Sequence, residues 1–336
     1  METRKLYYED PFQKGFATTV VSCDAVKGGY AVVLAETAFY PEGGGQPYDT
    51  GVLGEANVLE VHEKNGVITH LCDKPFKVGG SVSGKIDWAR RFDHMQQHSG
   101  EHICSGLICE RFHCDNVGFH MGADVVTIDF NADISWDKLM EIEQLANLYI
   151  YEDHPIDIQF YRGAELDKVE YRSKKPLDGD VRIVSFPGAD CCACCGTHVV
   201  RSGQVGLVKF LSVQKFRDGV RIELLSGKRA HRYLSECWAQ DVRIAQALSV
   251  KPNASFAGVE RVLAELSALK QRCAKLEESV FAQTAAQYEG KGDVLLFEDE
   301  MSGDSLRKLC DAVTNHCGGR CAVFAGADGA YKYAIG

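Results

Sequence analysis

The amino-acid sequence predicts an α+β protein in which a small N-terminal β-barrel precedes a domain of mixed helices and strands. Segments that alternate in hydropathy, such as residues 29–37 and 57–62, fill the first 87 positions, and helical periodicity starts near residue 89 with further strand segments beyond it. Strands followed by helices and more strands are the order of an α+β fold. We predict four parts: a barrel at residues 1–88, a second domain at 89–227, a helical region at 228–289 and an α/β region at 290–336.

A glycine-rich run, Phe-Tyr-Pro-Glu-Gly-Gly-Gly-Gln-Pro-Tyr-Asp-Thr-Gly, interrupts the barrel strands at residues 39–51. Glycine has no Cβ, so Gly43, Gly44 and Gly45 can bring backbone amides against a ligand. The side-chain amide of Gln46 can hydrogen-bond the same ligand. We predict a substrate-binding loop here, with an ordinary hairpin turn as the alternative.

The second part opens with a histidine-rich helix, Arg-Arg-Phe-Asp-His-Met-Gln-Gln-His-Ser-Gly-Glu-His, which ends at His102. Residues four apart lie on one face of a helix, so His98 and His102 can bind one metal ion. His94 lies one turn earlier, and Asp93 and Glu101 flank the histidines. Carboxylates often orient metal-ligating imidazoles, so these three residues are candidates for supporting roles, with solvated helix charges as the alternative.

A second motif, Cys-Cys-Ala-Cys-Cys-Gly-Thr-His, ends at His198. Cys194 and His198 are also four apart, and Gly196 permits a tight turn that points both side chains at one ion. With His98 and His102 they give the nitrogen and sulfur donors that suit tetrahedral zinc, and we predict one Zn²⁺ per chain. Other residues of the two motifs remain alternative or supporting ligands: His94, Cys191, Cys192 and Cys195.

The second part continues with strands predicted at residues 125–130, 156–161 and 181–184, and with a helix that Ser135 can cap. An apolar stripe marks the buried face of this helix: Leu139, Ile142, Leu145, Ala146 and Tyr149.

The third part is predicted to be a helical hairpin, broken at Lys251-Pro252-Asn253 because proline cannot continue a helix. Its second helix carries a seam of apolar residues at alternating spacings of three and four: Val259, Val262, Leu266, Leu269, Cys273, Leu276 and Val280. Such a seam packs inside the chain or forms a homodimer. The fourth part alternates a strand (294–297), a helix (305–316) and a strand (321–325).

Composition is that of a globular intracellular protein, since 45% of the 336 residues are hydrophobic and 25% are charged. The 14 cysteines are scattered along the chain, which favours a reducing compartment over a disulfide framework. The N-terminus lacks the apolar core of a signal peptide, and no apolar run approaches the ~20 residues that cross a bilayer. We therefore predict a cytoplasmic protein with no membrane partner.

The three motifs together resemble the editing domain of alanyl-tRNA synthetases, and above all the free-standing AlaX editing proteins. The resemblance covers about residues 30–230. It implies that the zinc ligands are His98, His102, Cys194 and His198, with Cys195 where the family has a glycine. The fourth part resembles the beginning of the C-terminal domain of long AlaX proteins, so a partial version of that domain is expected.

The resemblance implies hydrolysis of the ester that joins a wrong amino acid to tRNA(Ala), with Ser-tRNA(Ala) the expected substrate and Gly-tRNA(Ala) the second one. An alanine pocket discriminates such near-isosteres only by about 10²-fold, so a second hydrolytic site is needed. Zinc would activate a bound water or anchor the substrate, and no side chain is assigned as a catalytic group. Asn116 lies where the family often has a threonine that recognises the serine hydroxyl, and asparagine can also bond a hydroxyl.

The expected tRNA partner carries negatively charged phosphates, and a basic segment that could bind them lies within a chain whose net charge is −10. The candidates for phosphate contacts are Lys215, Arg217, Arg221, Lys228 and Arg229. A solvated basic face is the alternative.

Two other functions compete with trans-editing. The first is a non-catalytic tRNA-binding or dimerising module with a structural zinc. The second is a piece of a full synthetase, which we do not expect because no amino-acid activation domain precedes the barrel. Threonyl-tRNA editing is a close relative of the leading hypothesis because it uses the same spacing of histidines and cysteine.

Overall fold

A computed structural model describes residues 2–173 and 179–336, and its helices and strands have the mixed α+β arrangement predicted from the sequence. The chain divides into two units, Met1–Glu236 and Cys237–Gly336. This division lies inside a helix rather than at the predicted boundary between residues 227 and 228. The predicted boundaries at residues 88 and 289 stay predictions.

Eight strands and one short helix form the N-terminal part of the first unit: β1 (Arg4–Lys5), α1 (Leu6–Glu9), β2 (Gly15–Val26), β3 (Gly29–Leu34), β4 (Glu36–Thr37), β5 (Gly51–Leu53), β6 (Ala56–Lys64), β7 (Val67–Cys72) and β8 (Ser81–Ile86). Six of them close into a barrel in the order β2-β3-β7-β6-β5-β8. In β2 the side chains of Phe16, Thr18 and Val20 are buried and those between them are exposed, because alternate residues of a strand point to opposite faces. Apolar side chains fill the barrel interior, which makes it a packed core.

Helix α2 (Trp88–Phe112) follows the barrel and is buried over most of its length. Asp87 caps its first turn by accepting a hydrogen bond from the Arg90 amide at 3.2 Å. A fully buried ion pair between Arg91 and Asp49 joins the helix to the loop between β4 and β5. Arg91 also donates to the carbonyl of Ala38 at 2.6 Å, so the pair is hydrogen-bonded on several sides. Losing one partner of such a pair leaves an uncompensated buried charge, and the loop is therefore held firmly against α2.

The remainder of the first unit contains β9 (Asn116–Met121), β10 (Val126–Phe130), α3 (Trp136–Tyr151), β11 (Asp157–Tyr161), β12 (Val181–Phe186), β13 (Asp190–Ala193), β14 (Val208–Phe216) and β15 (Gly219–Ser226), with short 3-10 helices at Gly163–Lys168 and Ser202–Val205. Two sheets result, β14-β15-β10-β9 and β11-β12-β13. Helix α2 packs against strands of both sheets, which places its middle next to the loop after β13.

The strands predicted at residues 125–130, 156–161 and 181–184 and the helix after Ser135 are all present in this part of the chain. The Ser135 hydroxyl accepts a hydrogen bond from the Lys138 amide, as a cap should. The predicted burial is wrong for one residue of the apolar stripe, since Leu145 is 49% exposed. The other four members of the stripe, Leu139, Ile142, Ala146 and Tyr149, are buried as predicted.

Helix α4 (Gly227–Ala247) carries the division between the units, and the second unit continues with a 3-10 helix (Pro252–Ala254), α5 (Ser255–Gln287), β16 (Gly292–Glu298), α6 (Gly303–Cys317), β17 (Gly318–Ala325) and β18 (Lys332–Ile335). The sheet order is β16-β17-β18, with β16 parallel and β18 antiparallel to β17. The predicted break at residues 251–253 is confirmed. All seven seam residues are exposed on α5 in the described structure, so internal packing of this seam is not observed. None of the described helices is long and apolar enough to cross a membrane.

Candidate metal centre

The two predicted halves of the metal site come together in the first unit. One donor atom from each of His98, His102, Cys194 and His198 lies within 4.8 Å of all the others. The Cys194 Sγ lies 3.4 Å from Nε2 of His98 and 3.6 Å from Nε2 of His198. The three histidines are at most 3% exposed. Three imidazole nitrogens and one sulfur thus converge at a buried point.

Cys194 and His198 have the protonation that a metal ion needs, whereas burial lowers the pKa of His102 but its hydrogen bond to Asp190 outweighs burial and raises that pKa to about 10. Burial raises the pKa of the Cys194 thiol, but the three imidazoles around it outweigh burial and hold that pKa well below its usual range. The thiolate is the form of cysteine that binds metals. Burial also holds the pKa of His198 well below its usual range, so this imidazole is neutral.

Nε2 of His102 is buried and has no hydrogen-bond partner among the described residues. A buried polar atom without a partner is costly, and an ion at the centre of the cluster would use this nitrogen as a ligand. Three nitrogens and one sulfur are a donor set that tetrahedral zinc takes in proteins, so these residues fit the group predicted from the sequence.

Hydrogen bonds orient two of the imidazoles. The Oε1 atom of Gln46 accepts hydrogen bonds from Nδ1 of His98 at 2.9 Å and from the Thr197 amide at 3.0 Å. Nδ1 of His102 lies 2.8 Å from the Asp190 carboxylate, which is itself paired with the Arg172 guanidinium at 2.7 Å. When Nδ1 carries the proton, Nε2 presents its lone pair to the ion.

Glycine is required at position 196 because the His98 ring lies directly against its backbone. A Cβ at this position would lie 2.1 Å from Cε1 of His98, so the His98 ring occupies the space that any other side chain needs. The backbone of Gly196 is outside the left-handed region, so the turn that Gly196 was predicted to permit does not by itself require glycine. The Gly196 amide also donates to the Cys194 Sγ at 3.4 Å, which stabilises the thiolate.

A cavity of about 620 Å³ opens beside the cluster and has His98, His102 and Cys194 in its wall. Glu101 and Asn116 line it as well, and both are buried. The Asn116 Nδ2 donates to Oε1 of Glu101 and to Oγ of Ser105, each at 2.8 Å. The Ser105 hydroxyl donates to Glu101 at 2.6 Å, so this network fixes which way the Asn116 amide points. The Asn116 Oδ1 is left buried without a partner among the described residues.

The glycine-rich loop contributes less to this cavity than predicted. Gly43 and Gln46 exchange backbone hydrogen bonds of 3.1 and 3.0 Å across a turn in which Gly44 and Gly45 have φ values of 60° and 85°. Gly44 lines the cavity, whereas a Cβ at Gly45 would lie 2.5 Å from the Phe119 ring. The side-chain amide of Gln46 is engaged by His98 and Thr197, so its place is behind the metal cluster.

The carboxylates predicted to support the imidazoles have other partners. Asp93 pairs with Arg229 at 2.6 Å, and Glu101 bonds Ser105 and Asn116. His94 is buried in α2 outside the four-residue cluster. Asp190 and Gln46 take the supporting places instead. The sequence signal for Asp190 was its position four residues before Cys194, which alone does not distinguish it from other acidic residues.

The extra cysteines of the second motif have different surroundings. Cys192 lies near His102 and Asp190, but burial raises the pKa of its thiol above the usual range. Burial has the same effect on Cys191 and Cys195. Cys194 is thus the cysteine of this motif in the thiolate state that a metal needs.

The five predicted tRNA-contact residues fall into two separate groups. Arg217 occupies the turn between β14 and β15, and Arg221 pairs with Asp129 at 2.7 Å. Lys228 and Arg229 lie at the start of α4. Lys215 and Arg221 lie on β14 and β15 near this turn, and the eight residues of β15, at about 3.3 Å each, span roughly 26 Å between Arg217 and the start of α4.

Two family models match, "tRNA synthetases class II (A)" over residues 12–90 and "Threonyl and Alanyl tRNA synthetase second additional domain" over residues 181–223. The second match contains Cys194 and His198.

Relatives in three organisms resemble most of the chain. The alanine–tRNA ligase of Pyrococcus abyssi is 34% identical across 100% of this chain, which spans 38% of the ligase. The alanyl-tRNA editing protein AlaX-L of Pyrococcus horikoshii is 31% identical, with 89% of this chain and 75% of the relative covered. The alanyl-tRNA editing protein Aarsd1-A of Xenopus laevis is 30% identical, with 84% and 73% covered.

Proposed function

The chain belongs to the family of alanyl-tRNA editing proteins, and on that basis we propose that it hydrolyses the ester of a tRNA(Ala) that carries a wrong amino acid, most readily serine. The observation that carries this proposal is the cavity itself, whose wall joins a metal-ligand cluster to Asn116, whose Oδ1 has no hydrogen-bond partner among the described residues. A cavity of about 620 Å³ has room for an aminoacyl group and part of the terminal nucleoside.

Asn116 selects the amino acid in this proposal. Its Nδ2 is fully used by Glu101 and Ser105, so its Oδ1 is available to accept a hydrogen bond. The hydroxyl of a seryl group can donate that bond, whereas the methyl group of alanine would leave Oδ1 buried and unpaired. Sites that depend on a substrate hydroxyl discriminate strongly against substrates that lack it.

Glu101 orients the substrate in the same proposal. It is 4% exposed, lies in the cavity wall and receives neutral hydrogen-bond donors on Oε1. A carboxylate in such a place pairs with the α-ammonium group of an aminoacyl ester. Together the two side chains would hold the ester beside His98 and His102.

The proposed cofactor is one Zn²⁺ held by His98, His102, Cys194 and His198. When bound, zinc would supply a Lewis acid beside the ester carbonyl. Asn116 and Glu101 then keep the ester in place, and the burial of the cluster excludes bulk water from it.

A second candidate function follows from the number of protein ligands. Four protein donors complete a tetrahedral shell, which is typical of structural zinc. On this alternative, the chain is a non-catalytic tRNA-binding module, and the metal only fixes the loop after β13.

The decisive experiment compares deacylation of Ser-tRNA(Ala), Gly-tRNA(Ala) and Ala-tRNA(Ala) by the purified full chain, with zinc content measured in the same sample. We expect serine to be released fastest and alanine to be spared. Asn116→Ala should lower kcat/KM for the seryl substrate about tenfold or more, the equivalent of one hydrogen bond, and Asn116→Thr should recover part of it. A zinc-loaded protein that releases none of the three amino acids would favour the structural alternative.

A further inference from the structure

A second cavity, of about 430 Å³, lies against the first half of α2 in the first unit. Its lining includes Arg90, Asp93 and His94 of α2 and Lys228, Arg229 and Arg232 of α4. The metal cluster and the first cavity use none of these six side chains.

The lining of this second cavity is strongly basic. It contains four cationic side chains and one carboxylate, Asp93, which is already paired with Arg229 at 2.6 Å. Lys228 and Arg232 are exposed, and the nearest carboxylate to Arg232 is that of Glu236 at 3.8 Å. The Arg90 Nε donates to the carbonyl of Tyr48 at 2.9 Å, and Arg90 lines the cavity. Among the described residues, the positive charges of Arg90, Lys228 and Arg232 have no tightly bound counter-charge, which is the character of an anion site.

A buried polar atom in the same lining also lacks a partner. His94 is 3% exposed, and its Nδ1 makes no hydrogen bond with any described residue. Burial, followed by the charges of Arg90 and Arg229, lowers the pKa of His94 to about 3, so the imidazole is neutral. A neutral imidazole carries one N–H and can donate it to an anion.

The two cavities follow each other along α2. His94 and His98 are four residues apart, which is about 6 Å along a helix axis. The glycine-rich loop borders both cavities, through Gly44 in the first and Pro47 in the second. Between them the Met121 amide donates to the Gly45 carbonyl at 3.3 Å. A single ligand that reached both cavities would therefore be extended along α2.

We propose that the second cavity binds a backbone phosphate of the single-stranded 3′ end of the tRNA, next to the nucleotide whose ester occupies the first cavity. Arg90, Lys228 and Arg232 neutralise the phosphate, and His94 donates a hydrogen bond to it. This inference rests on the proposed function for the identity of the polynucleotide. Free inorganic phosphate has the same chemistry and is the other source to be tested.

The test uses Lys228→Ala/Arg232→Ala in the full chain, because both side chains are exposed and their removal leaves no cavity in the core. The matched control is Lys27→Ala/Lys77→Ala, which removes two exposed lysines of the first unit away from both cavities. Affinity for uncharged tRNA(Ala) is measured over a range of salt concentrations. The cavity variant should bind more weakly than the control, and its salt slope should fall by about 0.7 for each phosphate that it no longer neutralises.

Hydrolysis gives a second readout. The cavity variant should lose more kcat/KM with Ser-tRNA(Ala) than with seryl-adenosine, which has no backbone phosphate. Equal tRNA affinity and equal salt slopes in the cavity and control variants would overturn the inference, even if the wild-type protein edits. If the wild-type protein hydrolyses neither ester but the cavity variant still binds tRNA more weakly, the phosphate site stands and the proposed function fails. Calorimetric binding of inorganic phosphate that the variant abolishes, with tRNA affinity unchanged, would assign the site to the free ion and also overturn the proposal.

Discussion

At the residue scale, the ring nitrogen that His98 and His102 present to the metal position is selected by the partner of the other ring nitrogen. Gln46 bonds Nδ1 of His98, and Asp190 bonds Nδ1 of His102. Partners of this kind fix the tautomer and the ring orientation. The geometry of the cluster therefore depends on residues that do not themselves bind the ion.

Cys194→Ala should lose the metal and the activity together, because it removes the thiolate from the cluster. His94→Ala should keep most of the bound zinc, since His94 lies outside the four-residue cluster. Elemental analysis of both purified variants measures this difference. Equal zinc loss in the two variants would disprove the ligand assignment.

The ligand spacing could be predicted from the sequence because residues four apart on a helix are neighbours whatever the rest of the fold does. The contacts of Asp190 and Arg172 that support His102 could not be predicted from the sequence, because they depend on how β13 is placed against α2. The same applies to Gln46, whose amide was predicted to face the substrate and instead bonds His98 and Thr197. A sequence motif thus predicts the geometry within one helix, but it does not predict contacts between elements that are distant in the sequence.

At the scale of elements, the barrel contains a histidine that makes its stability depend on pH. His70 is fully buried, lies 2.9 Å from the Thr37 hydroxyl, and its pKa is lowered to about 4 by burial. The unfolded chain has an ordinary histidine pKa of about 6.5, so it binds this proton first as the pH falls.

We expect the contribution of His70 to stability to be complete above about pH 6.5 and to be lost as the pH falls toward 4, by about 1.4 kcal/mol per pH unit. His70→Gln has no such titration and should flatten the dependence in this window. Urea denaturation at several pH values checks the slope. An unchanged slope in the variant would show that other groups cause the acid sensitivity.

The elements themselves were largely predictable, since periodicity identified α3, α5 and the strands of the first unit. Burial was harder to predict, as Leu145 and the seam of α5 show. An apolar residue at helical spacing indicates which face can be covered, but only the placement of the neighbouring elements decides whether it is.

At the scale of the whole molecule, the exposed seam of α5 predicts self-association. Leu266, Leu269 and Leu276 are 46–58% exposed, and identical seams of this spacing complement each other in coiled coils. We expect a homodimer by sedimentation velocity, and Leu269→Glu/Leu276→Glu should shift it to monomer. A wild-type protein that stays monomeric at high concentration would exclude this interface.

The spacing of the metal ligands along the sequence also determines when the site can form during translation. Cys194 follows His98 by 96 residues, and at about 5–20 residues per second the ribosome needs roughly 5–20 s to add them. During this interval the nascent chain offers an ion two histidines of α2 and no thiolate from the second motif. Closure of the four-ligand site is therefore a late event, and it occurs only after the barrel, α2 and β13 have all been made.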